Sequence, residues 1–133
     1  MAELLVPISP GELIDKITIL EIKSERMTDA AKLHNVRTEL ALLTDTWRAS
    51  PCSATDIQDD WRALRDVNAE LWDIEDLIRD EERAGRFEAE FIRLARAVYM
   101  TNDERAAIKR RINAKLGSVL VEEKSYKDYK QGG

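Results

Sequence analysis

The stretch Ser9 to Arg26, SPGELIDKITILEIKSER, constrains the fold of this chain more than any other. Ser9 can cap the orphan N–H groups of a first turn, and Pro10 tolerates that turn because it needs no donor there. Glu12, three residues past Ser9, completes a capping box and sets negative charge at the positive end of the helix dipole. Leu13, Ile17, Leu20, Ser24 and Met27 then share one face, while Ile19 and Ile22 point elsewhere, beside Asp15 and Arg26. A helix apolar on two sides either runs through a core or meets a second partner. The expectation is a homodimer that buries Ile19 and Ile22 in an isologous contact.

Punctuation along the rest of the chain reads as more helices. Residues 3–8 form a short extended arm, since Pro7 and Pro10 bias their predecessors away from helix. Thr28 or Asp29 opens a second helix, with Leu33, Val36, Leu40, Leu43 and Trp47 at spacings of three and four, stopping at Ser50-Pro51. Ser53 and Asp56 box a third, running to Ala84 before Gly85. Phe87–Met100 makes a fourth, and Thr101 with Glu104 starts a fifth that ends at Gly117. The expected fold is all-α, about five helices in antiparallel hairpins, with extended N- and C-terminal segments. Residues 1–133 suffice for one domain with a real core, and 118–133 form a loose tail or a strand beside the arm.

Composition restricts location and partners. Only five Gly and three Pro leave little room for the turns of a sandwich or barrel. The lone Cys52 cannot form an internal disulfide, and Glu3 interrupts the apolar start, so a cytoplasmic location is expected. No apolar run approaches the ~20 residues of a membrane span. Residues 1–100 carry 13 Lys/Arg against 21 Asp/Glu, whereas 101–133 carry eight against five. An acidic total opposes general nucleic-acid affinity, and Arg105, Lys109, Arg110, Arg111 and Lys115 scatter around their helix instead of lining one stripe. A small anionic group near Arg105 and Lys109 is compatible with that spacing, although cations also suit the C-terminal end of a solvated helix.

The third helix holds the best local oddity. Leu64, Leu71 and Ile78 mark its inward face, and Asn68 and Glu75 project close to them, flanked by Trp61, Trp72 and Arg79. A carboxylate facing a core must be paired or protonated. Candidate catalytic residues are therefore Glu75, Arg79 and Arg26, and candidate binding residues also include Asp15, Lys16, Glu21, Asn68, Trp72, Arg105 and Lys109. Glu21, Glu25, Glu70 and Glu75 form an alternative Mg²⁺ set, echoing the paired carboxylates of all-helical nucleotide pyrophosphohydrolases. Such pairs must converge on one cavity to ligate the ion. Chorismate-mutase-like chemistry, with converging Arg and Lys and no metal, is a further alternative. His34 is the single histidine, and there is no phosphate-cradling glycine loop.

Three blocks together carry a resemblance: Ser9–Arg26, Asn68–Arg79 (NAELWDIEDLIR) and Phe91–Tyr126, notably LARAVYMTNDERAAIKRRIN and GSVLVEEKSY. They resemble a family of short helical bacterial proteins classed as a domain of unknown function. The resemblance implies an association with glycosyltransferases of surface polysaccharide synthesis and supplies no catalytic residues. The expected function is a non-catalytic accessory protein for such an enzyme. The alternative is a small helical enzyme acting on a phosphorylated or carboxylated metabolite.

Overall fold

The computed structural model describes residues 2–130. It is all-helical: α1 (Pro10–Arg26), α2 (Ala30–Ala49), a one-turn 3-10 helix (Pro51–Ala54), α3 (Gln58–Arg83) and α4 (Ala89–Lys115), with no strand among the described residues. The caps explain the boundaries. Ser9 Oγ accepts from the Glu12 N–H at 3.2 Å, and Asp29 caps α2 through the Ala31 and Lys32 N–H groups. Both long helices end in Schellman motifs: Arg86 N–H reaches Glu81 O, and Ser118 N–H reaches Asn113 O, each at 2.9 Å. Gly85 and Gly117 supply the positive φ those turns need, at +69° and +64°.

Helix α1 packs against α2, α3 and α4 alike, and α3 packs along α4. The shared core gathers Leu13, Ile14, Ile17, Trp47, Ile57, Leu64, Val67, Ile108 and Ile112. Trp47 of α2 meets Trp61 of α3 edge-on at 5.8 Å. Asp60, buried at the start of α3, is clasped by Arg111 and Lys115 from the end of α4, which fixes that pair antiparallel.

Four expectations change here. The fourth and fifth helices are one. Residues 89–115 contain neither Gly nor Pro, so the i→i−4 ladder continues through Thr101, which is buried, and the capping box is never used. The dimer face through Ile19 and Ile22 also loses its basis: Ile22 is only 3% exposed within the chain. Three neighbouring helices account for an α1 that is apolar on more than one side. Helix α3 starts at Gln58, later than the box at Ser53, because Pro51–Ala54 coil into the separate turn. The tail pairs with no arm; residues 118–130 lie along α4, and residues 131–133 fall outside the described residues.

Candidate functional site

The densest polar arrangement lies where α1, α3 and α4 meet. Asp15 is 1% exposed. Its Oδ1 accepts from Asn68 Nδ2 and from Arg105 Nε, each at 2.9 Å, and its Oδ2 accepts from Arg105 Nη2. Asn68 also donates to Thr18 Oγ1 at 3.0 Å, and Thr18 donates to the Asp15 carbonyl at 2.9 Å. A buried carboxylate held by a bidentate guanidinium and an amide is fully partnered, the condition under which such a group survives burial. The hydrogen bonds it donates to Asp15 hold the Arg105 guanidinium above its usual range, overriding the opposite effect of its burial.

One turn along, Lys109 is 8% exposed, and its ammonium donates to Glu12 at 2.6 Å and contacts Glu122 of the tail at 2.8 Å. Burial pulls Lys109 down, while the hydrogen bonds to Glu12 and Glu122 raise it, and the net shift is upward. Glu12 is shared with Lys16 at 3.7 Å. The approach that allows this is close: Gly11 N–H donates to Asn113 Oδ1 at 2.7 Å, and a Cβ on Gly11 would lie 2.6 Å from the Lys109 carbonyl oxygen. The descending pairs Gly11–Asn113, Glu12–Lys109 and Asp15–Arg105 show α1 and α4 running antiparallel.

Two clefts flank this network and share Arg105. One, of about 290 Å³, has Ile19, Leu71 and Trp72 as apolar wall, Asn68 and Arg105 at its polar side, and Glu75 and Asp76 also in its lining. The other, of about 600 Å³, opens between α4 and the tail.

Several expected site residues thus converge and others do not. Asp15, Asn68 and Arg105 share one network, with Lys109 and Lys16 tied in through Glu12. Arg105 and Lys109 are tied to carboxylates of α1, Lys109 buried and Arg105 only partly exposed, so the reading of α4 as a simply solvated cationic helix is corrected for those two. Glu75, Arg79 and Arg26 do not converge on one site. Glu75 is half-exposed and pairs with Arg79 one turn on, while Arg26 pairs with Asp73 at 2.6 Å and lies 6.0 Å from the Trp72 ring centre. The carboxylate set also disperses: Glu21 accepts from Trp61 Nε1, Glu25 pairs with Arg65, Glu75 with Arg79, and Glu70 is exposed. No three His, Cys, Asp or Glu side chains gather for a metal among the described residues. Thr18, Asn113 and the siting of Glu122 on Lys109 were not singled out by spacing. Thr18 stands three residues past Asp15, and that adjacency is the one signal the sequence offered.

Comparison with known proteins places the chain without assigning it an activity. No curated protein and no solved structure matches it. A family described as a family of unknown function (DUF6165) matches residues 4–130. That match spans nearly the whole chain, and the protein belongs to this family.

Proposed function

We propose that the protein is a non-catalytic accessory module that docks on a protein partner in the cytoplasm. The partner class is a glycosyltransferase or another enzyme of surface polysaccharide synthesis, as the resemblance of the three blocks implies. One observation carries the docking: both ends of the described chain present exposed apolar side chains on backbone without regular secondary structure. Leu4 is 91% exposed, Leu5 89% and Val119 94%. The arm makes no backbone hydrogen bond to the helices. Apolar side chains left exposed on such segments mark a surface on which another protein can dock. The charged groups at the α1–α3–α4 junction, by contrast, are engaged with one another, which supports a structural role for them over a catalytic one.

A photo-crosslinking residue placed at Leu5 or Val119 of the full chain, in cells that make it, tests the proposal. Adducts with a glycosyltransferase or a related polysaccharide enzyme are expected from both positions and not from Glu39 on the exposed face of α2. Equal labelling from all three positions, or no adduct from any, overturns it.

A further inference from the structure

Among the described residues Lys109 is the one buried cation, and its two carboxylate partners are of different kinds. Glu12 comes from the rigid first turn of α1 and is shared with Lys16. Glu122 comes from a segment without regular secondary structure, is itself half-exposed, and is flanked by the exposed Val121. Glu12, Asp15, Lys16, Arg105 and Lys109 together sum to one positive charge, which Glu122 brings to neutral. Within that cluster the tail supplies the balancing carboxylate in this conformation.

Donors remain for a ligand. Two carboxylates engage the Lys109 ammonium, which has three N–H groups. Arg105 commits Nε and Nη2 to Asp15, while Nη1 has only a 3.5 Å contact to Asn102 Oδ1. The cleft of about 600 Å³ beside them is lined by these two cations with Lys124, by the carboxylates Asp103 and Glu123, and by Tyr99 and Tyr126. We propose that this cleft between α4 and the tail binds a small oxyanion-bearing molecule, a carboxylate or phosphate, whose acid group replaces Glu122 on Lys109 with Arg105 as second donor. Glu122 is then an internal competitor, and occupancy of the cleft displaces it from Lys109. The site rests on residues other than those that carry the docking proposal, so either can fail alone.

An internal competitor that is in place nine-tenths of the time lowers apparent affinity about tenfold, because only the open fraction binds. Inorganic phosphate and succinate, titrated separately at constant ionic strength against ¹⁵N-labelled full-length protein, supply the two arms. Whichever probe binds should bind Glu122→Gln about tenfold more tightly than the unaltered chain. Its amide shifts should centre on residues 102–109 and 122–126. Adding Lys109→Met to that variant should abolish the response. If the double variant does not fold, the shift map of the single variant decides. Equal affinity with and without Glu122, shifts centred elsewhere, or no binding of either probe to Glu122→Gln would overturn the assignment.

Discussion

Asp15 is the side chain on which three helices depend, since its two oxygens receive α3 through Asn68 and α4 through Arg105. Removing one member of a buried ion pair leaves the other unpartnered and costs about 3–5 kcal/mol, whereas replacing both with apolar groups of similar volume is often close to neutral. Asp15→Leu and Arg105→Met should each lower stability by about that amount, and the double variant should be more stable than either single one. Denaturant midpoints at unchanged slope measure this. Additive losses would show that the two side chains act separately. Little of this was legible beforehand. A helical wheel assigns burial by angle from one apolar face, and on that reckoning Asp15 sits beside the outward Ile19 and Ile22. With neighbours on three sides of α1, angle from one face stops predicting burial, and the buried Ile22 was misplaced for the same reason.

At the scale of elements, the α1–α4 contact is set by the absence of a side chain at position 11. Gly11→Ala would place a Cβ 2.6 Å from the Lys109 carbonyl oxygen and 2.9 Å from Asn113 Oδ1. The carbonyl belongs to a helix backbone and cannot turn aside, so the helices must separate. Overpacking of this kind costs about 1–3 kcal/mol. In an unpacked helix Ala would instead gain about 1 kcal/mol over Gly. The sign of the change in thermal midpoint is therefore diagnostic: a fall is expected, and a rise would mean the helices do not approach as described. Element existence was largely readable from caps and breakers, because Ser9, Asp29, Gly85 and Gly117 act within one turn of themselves. The fusion at Thr101 was not, since a capping box permits a start without compelling one. Glu75 was misjudged because a helical wheel does not show an open cleft. At the level of Glu75, α3 borders the open cleft it shares with Ile19 of α1 and Arg105 of α4, so its inward angle leads to solvent and not to a closed core.

Over the whole molecule, burial and charge hold different parts. The helices enclose a common apolar core, while the tail is fixed by the Glu122–Lys109 and Lys124–Asp103 ion pairs and one contact between the Tyr99 and Tyr129 rings at 5.1 Å. The hydrogen bond from Lys124 lowers the Asp103 carboxyl, which marks a favourable pair in the folded chain. Its apolar residues contribute little, since Val119, Val121 and Tyr126 remain exposed. Interactions of exposed charges, such as Lys124–Asp103 and those of the Glu122 carboxylate, weaken with salt, as the screening length falls from about 10 Å at 0.1 M to about 3 Å at 1 M. The buried Lys109 end is screened less. Core burial does not weaken in this way. Raising sodium chloride from 0.1 M to 1 M should thus free residues 122–129 while α1, α3 and α4 stay intact. Backbone order parameters report it directly: tail amides should drop from the rigid range near 0.85 to below about 0.6, with helical amides unchanged. Glu122→Gln combined with Asp103→Asn should give the same loosening already at low salt. A tail equally ordered at both salt concentrations would mean that its backbone and rings, rather than its charges, hold it to α4, and Glu122 would then be a passenger on Lys109 rather than the group that keeps the cleft closed.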